Sequence, residues 1–310
     1  MKLLVTGGAG YVGCVLVPHL LAQGHQVRVL DNLMYGGRGL LACFSDRRFE
    51  FVKGTILDER RLRQSLDGVD AIIHLAGIVG YPACQRDPRL AQEVNLDGTR
   101  LVDQLRKRDQ PIIFASTGSN YGAVVGALCT EDTPLNPLTE YGTTKTAAER
   151  HLLEAGNTVC YRFATAFGVS PRMRFDLLVN DFVYKAVTDR YLVLFEKDFK
   201  RNFVHVRDVA DCMRHAIANA ARMAGRPYNL GLDSANLTKE ELALTVKKHV
   251  PSFYIHFAPI GQDPDRRNYI VSSQRLREAG FEARRSLDEG IQELLKGYRM
   301  QGRAPFQNAA

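Results

Sequence analysis

The run Thr6-Gly7-Gly8-Ala9-Gly10-Tyr11-Val12-Gly13 constrains this chain more than any other segment. It follows Lys2-Leu3-Leu4-Val5, an apolar stretch suited to a strand buried on both faces. Beyond it, Val12, Val15, Leu16, His19 and Leu20 recur at helical spacing, with Gly24 as a C-terminal stop. Gly7, Gly10 and Gly13 therefore fall in a strand-to-helix turn. The first permits a tight turn, the second lets backbone approach a pyrophosphate, and the third lets helix and strand pack closely. The helix N-terminus offers N–H groups and partial positive charge to an anion. A glycine triplet alone could be an ordinary turn. Here a second strand, Gln26-Val27-Arg28-Val29-Leu30, ends in Asp31, at about the 20-residue offset where a ribose-binding carboxylate belongs. A carboxylate there accepts from ribose hydroxyls and repels a 2′-phosphate, which favours NAD over NADP. Arg28 and Arg38, close by in sequence, pull the other way.

Near the middle of the chain stands Tyr141-Gly142-Thr143-Thr144-Lys145, which puts a phenol and an ammonium on one helix face. A nicotinamide beside a tyrosine whose proton can be taken is a site for oxidising an alcohol. Between the two segments strands and helices alternate. Strands are expected at 49–52, 70–75, 111–116 and 158–163, and helices at 59–66, 90–107 and 141–153. Repeated βα units mean an α/β, Rossmann-type, doubly wound parallel sheet with ligands at the C-terminal strand ends. After residue 165 the rhythm loosens. The stretch 171–201 is irregular apart from an amphipathic helix carrying Leu177, Leu178, Phe182, Val183, Ala186 and Val187. Strands at 202–206 and 228–230 and helices from 207, at 239–249 and at 287–300 follow. The expected division is a dinucleotide-binding domain over 1–165 and a smaller substrate lobe over 166–310, with elements of about 202–230 returning to the main sheet.

At 310 residues and 45% hydrophobic, the chain can bury a sizeable core, and no run is long and apolar enough to span a bilayer. With the chain opening directly in its first strand no signal peptide is expected, and Cys14, Cys43, Cys84, Cys129, Cys160 and Cys212 are scattered without metal spacing. Reduced thiols in a soluble cytoplasmic protein without a metal are expected. The net charge of +7 is dispersed, and its densest part, Arg266 to Arg303, is interleaved with acids, which reads as a solvated face and not as a nucleic-acid surface.

Further motifs stand in a familiar order: Asp31-Asn32, His74-Leu75-Ala76-Gly77, Asn95-Leu96-Asp97-Gly98-Thr99, Ser116-Thr117 with Tyr121-Gly122, Tyr141-x-x-x-Lys145, Arg162-Phe163, and Arg201 through Ala210. In this order the chain resembles the extended short-chain dehydrogenases/reductases, and specifically the NAD-dependent nucleotide-sugar epimerase/dehydratase group. The resemblance implies NAD as cofactor and a nucleotide-diphosphate sugar as substrate. It implies Thr117, Tyr141 and Lys145 as the catalytic set. Thr117 would bind the sugar hydroxyl, Tyr141 would accept its proton, and Lys145 would lower the phenol pKa and reach the nicotinamide ribose. Ser116 would support them.

For the cofactor it implies Tyr11 and Val12 at the pyrophosphate turn and Asn32 beside Asp31. It places Leu75, Ala76, Gly77 and Val79 along the nicotinamide half, Asn95 on the neighbouring helix, and Phe163 as a wall. Where the family has Asp-Ile against adenine, this chain has Gly54-Thr55-Ile56, so Thr55 or Asp58 would substitute beside Ile56. On the substrate side Thr165 replaces the family's asparagine with a shorter reach. Arg201 and one of Arg266 and Arg267 match pyrophosphate-clamping positions, and Asp176 or Asn180 stands where base or phosphate is held. His74 and His205 read as core histidines rather than ligands.

Sugar 4,6-dehydratases of the family carry Asp-Glu after the threonine, whereas this chain has Gly118-Ser119. Neither residue delivers a proton at neutral pH. The reading is therefore epimerisation, most simply at C4, with Glu131 or Tyr81 as places to look for a further acid or base. A dehydratase or ketoreductase remains an alternative, and so does a non-catalytic NAD-sensing protein. By the same resemblance the chain should pair as a homodimer through the 90–107 and 141–153 helices, with Leu101 and Leu105 either at that seam or turned onto the sheet.

Overall fold

A computed structural model describes residues 1–261 and 267–300. The first half runs β1 (Lys2–Thr6), α1 (Gly13–Ala22), β2 (Gln26–Asp31), β3 (Phe49–Lys53), α2 (Glu59–Leu66), β4 (Ala71–His74), α3 (Tyr81–Arg86), α4 (Pro88–Gln92) and α5 (Gly98–Leu105). It continues with β5 (Ile112–Thr117), β6 (Ala123–Cys129), α6 (Glu140–Ala155), β7 (Thr158–Phe163) and β8 (Thr165–Phe167). The second half comprises α7 (Leu178–Thr188), β9 (Tyr191–Leu194), β10 (Lys200–His205), α8 (Val206–Met223), β11 (Arg226–Leu230), β12 (Asn236–Thr238) and α9 (Lys239–His249). β13 (Tyr254–Phe257), β14 (Asn268–Val271), α10 (Gln274–Glu278) and α11 (Leu287–Met300) follow.

Seven strands form one parallel sheet in the order β11-β7-β5-β4-β1-β2-β3. Its inner strands β1, β4 and β5 are largely apolar on both faces because helices cover both. Leu3 and Val5 face α1 and α8, while Leu4, Ile72 and Phe114 face the layer of α2 and α4 to α6. The strand order reverses at β1, between β4 and β2, which opens a crevice at the carboxyl ends of the strands. Gly7 makes the turn there possible: its φ is +71°, and a Cβ would lie 2.6 Å from the Ala76 nitrogen. Gly13 lets the helix seat on the turn, since a Cβ would lie 2.3 Å from the Gly8 carbonyl oxygen.

Helix 90–107 is not uniform. α4 and α5 are joined by a π-helical turn, Glu93–Asp97, which carries Asn95 inward. Of the 202–230 stretch, β11 joins the main sheet beside β7 and α8 packs on its face. β10 instead pairs with β8 and β12 in a separate three-stranded sheet. A second core of Phe167, Phe175, Phe182, Phe203, Leu242, Phe253 and Ile291 holds the smaller lobe over the strand ends. All six cysteines are buried thiols. Among the described residues no helix is long and apolar enough to cross a membrane, and no cluster of His, Cys, Asp or Glu is arranged to hold a metal.

Candidate active site

One cleft runs along the carboxyl edge of the sheet from Asp31 to Thr117, Tyr141 and Lys145, roofed by the segment 172–177 and Arg267. Thr117 is the last residue of β5, and Tyr141 and Lys145 lie on the first turns of α6. That helix starts where it does because Thr139 caps it, accepting from the Gly142 N–H at 3.2 Å. The Thr117 side chain stands close enough to the Tyr141 phenol to favour its ionised form. Its hydroxyl accepts from the Ser119 N–H at 3.1 Å and donates to Ser119 Oγ at 3.1 Å.

Burial pushes the Tyr141 phenol up to about 12, and the Thr117 side chain and the charges of Arg267 and Arg174 pull against that rise. Lys145 is not among the largest influences on the phenol. Its ammonium sits 3.8 Å from the centre of the Phe114 ring, where burial presses its own pKa down to about 7. The lysine expected to tune the tyrosine thus has its own charge disfavoured by burial.

Gly7, Gly10, Tyr11, Val12, Gly13, Asp31, Asn32, Thr55, Ile56, Leu75, Ala76, Gly77, Val79, Ser116 and Phe163 all line the cleft. Asn95 does not. It is fully buried behind the wall, with Oδ1 accepting from the Ile78 N–H at 2.7 Å and Nδ2 donating to the Ile78 carbonyl at 3.0 Å, so it shapes the Gly77-Ile78 turn from beneath. Asp31 is fixed at the far end by accepting from the N–H groups of Ala9 (2.9 Å) and Leu33 (2.8 Å). Burial raises its pKa, while those two bonds and Arg172 hold it down.

Arg28 turns away from the cleft. Its Nη1 donates to the carbonyls of Ser65 and Asp67, and its Nε lies 2.8 Å from Glu50, so it does not offset Asp31. Arg38 is exposed. The donor set fits a dinucleotide: a carboxylate for a ribose diol at one end, a helix N-terminus behind a glycine turn in the middle, and a phenol and ammonium at the other end.

On the substrate side Thr165 and Arg267 line the cleft. Arg267 Nη1 donates to Ser119 Oγ at 2.7 Å, which puts the guanidinium at the reacting end. Arg201 is buried outside the cleft lining and donates to the Lys200 carbonyl. Asn180 is buried within the lobe, accepting from the Gly168 N–H and donating to the Arg174 carbonyl, so it braces the roof. Asp176 does not line the cleft either; its carboxylate takes both prongs of Arg174 at 2.7 and 2.6 Å. Arg266 lies outside the described residues.

Two arginines that sequence reasoning passed over, Arg172 and Arg174, do line the cleft. Arg172 lies 4.5 Å over the Tyr35 ring, near Asp31. The available signal was their alternation in Pro171-Arg172-Met173-Arg174, which in an extended segment sends both to one side.

Glu131 is a buried strut, its Oε1 accepting from the Asn229 N–H at 2.7 Å, and neither it nor Tyr81 lines the cleft. His74 bridges Thr6 (2.6 Å) and Thr99 (3.0 Å), with burial pressing its pKa down to about 3. His205 is held by Glu293 at 3.0 Å. Both histidines lie outside the cleft lining.

Residues 3–231 match the NAD dependent epimerase/dehydratase family. A UDP-glucose 4-epimerase of Halalkalibacterium halodurans is 32% identical, over 77% of this chain and 78% of the relative. A dTDP-glucose 4,6-dehydratase of Actinoplanes is 29% identical over 96% of this chain and 98% of the relative. Among solved structures, a dTDP-glucose 4,6-dehydratase from Streptomyces venezuelae with NAD bound superposes with a TM-score of 0.85 at 27% identity, covering 97% of this chain and 98% of that one.

Proposed function

We infer that this chain, which belongs to the NAD-dependent epimerase/dehydratase family, is a nucleotide-sugar epimerase that oxidises one sugar hydroxyl and reduces the ketone from the opposite face. One observation carries the choice of reaction. The position after Thr117 holds Gly118-Ser119, and among the described residues the only carboxylate lining the cleft is Asp31, fixed at the far end against Ala9 and Leu33. Loss of water across two sugar carbons needs an acid and a base at the reacting end in addition to Tyr141. An epimerase needs only one group that takes a proton and gives it back.

NAD is the cofactor, and when bound it supplies a hydride acceptor that later returns what it took. The chain's own residues do the rest. Asp31 and the Gly7–Gly13 turn would hold the adenosine ribose and pyrophosphate, and Lys145 the nicotinamide ribose. Thr117 orients the sugar hydroxyl towards Tyr141, whose oxygen takes the proton and donates it again after the sugar has turned. Thr165 and Arg174 stand along the substrate wall to hold a nucleotide diphosphate, and the oxidised carbon is most simply C4.

The test is one NMR spectrum of product formed in deuterated buffer from UDP-, dTDP- and GDP-sugars. Oxidation and return leave no solvent deuterium at the oxidised carbon and no change in mass. A product lighter by one water, with deuterium on the carbon skeleton, would make the chain a dehydratase instead.

A further inference from the structure

Two segments from different parts of the fold meet over the cofactor end of the cleft. One follows β2 and carries Tyr35, and the other is the roof segment that carries Arg172. Both side chains line the same cleft, and the Arg172 guanidinium stands 4.5 Å over the centre of the Tyr35 ring. The same guanidinium lies near enough to Asp31 for its charge to favour the carboxylate. The contact therefore spans the space into which Asp31 and the Gly7–Gly13 turn face.

Both segments are held in place. The Gly36 N–H donates to the Leu33 carbonyl at 2.9 Å, closing the turn that presents Tyr35. On the roof, the buried Ser170 hydroxyl donates to the Tyr11 carbonyl at 2.7 Å, and the Arg172 N–H donates to that hydroxyl at 3.3 Å. The Tyr11 phenol donates to the Gly168 carbonyl at 2.7 Å. Beside Arg172, Pro171 comes so close to Gly39 that a Cβ on the glycine would lie 3.3 Å from the proline Cβ. The roof is thus anchored on the glycine turn by buried hydrogen bonds. The contact between Arg172 and the half-buried Tyr35 is of another kind. It can open by rotation of two side chains with every backbone bond of the anchor intact.

We propose that Arg172 and Tyr35 form a latch across the cofactor half of the cleft, which must open both when NAD enters and when it leaves. The latch rests on NAD as the cofactor and not on the reaction inferred above. Oxidation and return give it a use, because NAD lost in mid-cycle would strand a ketone. A latch and an ordinary binding contact differ in kinetics. A contact made only to bound NAD slows release and leaves uptake untouched. A contact between two protein side chains is present with and without NAD, so it slows both and changes the equilibrium affinity little.

Radiolabelled NAD and rapid filtration of the full-length protein give both rates: release from the NAD-bound form into excess unlabelled NAD, and uptake after the cofactor has been stripped. Tyr35→Leu should raise release and uptake together by roughly 2- to 30-fold, the weight of a guanidinium–ring contact, with Kd close to that of the wild type. Tyr35→Phe keeps a ring face for the cation and should keep wild-type rates. Arg172→Lys should fall between, because a compact, strongly hydrated ammonium stacks less well than a planar guanidinium. Unchanged rates in both Tyr35→Leu and Arg172→Lys would overturn the latch. So would faster release with unchanged uptake, which would make the pair ordinary cofactor contacts. Protein that takes up no NAD would overturn it together with the cofactor, whereas failure to epimerise any sugar nucleotide would sink only the reaction, since neither rate depends on turnover.

Discussion

Glu149 and Arg162 are locked in a buried ion pair, with Nη2 and Nε of the arginine donating to Oε1 of the carboxylate at 2.7 and 2.9 Å. The other carboxylate oxygen accepts from Ser116 Oγ and from Asn120 Nδ2. Glu149 lies on α6, one turn beyond Lys145, Arg162 is on β7, and Ser116 precedes Thr117 on β5. One side chain thus ties the helix bearing Tyr141 and Lys145 to the strand bearing Thr117.

That tie also sets charge. Burial lowers the Lys145 pKa to about 7, and Cys160, Glu149 and Cys84 are the neighbours whose negative charge would raise it. Burial pushes the Cys160 thiol far above its ordinary value and Cys84 up to about 12, so both are neutral near pH 7, as is His74. Glu149 is the anion that remains. An anion stabilises the ammonium, so Glu149→Gln should lower the Lys145 pKa further. If the ammonium is the working form, the alkaline fall of kcat/KM moves to lower pH, and Glu149→Asp restores part of it. Removing the partner of a buried arginine should also cost about 3–5 kcal/mol of stability. A lower melting temperature with an unmoved pH profile would leave Glu149 a purely structural role.

Tyr141→Phe removes the group proposed to carry the proton but keeps the ring packing. We expect kcat to fall by roughly 10²–10⁴-fold with NAD still bound after purification, read by steady-state kinetics and by the released cofactor. Near-normal turnover would rule out the phenol as the proton acceptor.

Asp31→Ala should narrow the preference for NAD over NADP, measured by calorimetry, because the charge that repels a 2′-phosphate is gone. It should also lower thermal stability, since the N–H groups of Ala9 and Leu33 lose their acceptor. Asp31→Asn, which keeps an acceptor oxygen, separates the two effects. Wild-type protein that binds NADP as tightly as NAD would contradict the assigned role.

Pairing of two copies through α5 and α6 is the expected assembly. Leu101 and Leu105 are both half-buried and pack partly on the sheet's core, so a seam there would use their outer edges together with the exposed Gln104 between them. Light scattering at micromolar concentration should give twice the 34.7 kDa chain mass. A monomer would refute it.

The amino-acid sequence by itself determined what depends on neighbours along the chain. The Gly7–Gly13 turn, Asp31 at the end of its strand, the parallel strands and the Tyr141/Lys145 face are set by local periodicity, by positive-φ glycine and by helix geometry, all short-range. The helix expected at 90–107 forms over 88–105, but with a π-helical turn inside it for a tertiary reason: Asn95 is drawn in to satisfy both polar groups of Ile78. What only the tertiary structure decided is which distant side chains reach the cleft. The roof is pinned by Tyr11 donating to the Gly168 carbonyl across 157 residues, and Arg267 reaches Ser119 across 148. Arg172 and Arg174 face the cleft while Arg201, on β10, is buried outside its lining. No spacing rule separates those arginines. Their fates follow from how the second core packs over the strand ends, and that packing depends on the whole set of buried contacts rather than on any one stretch of residues.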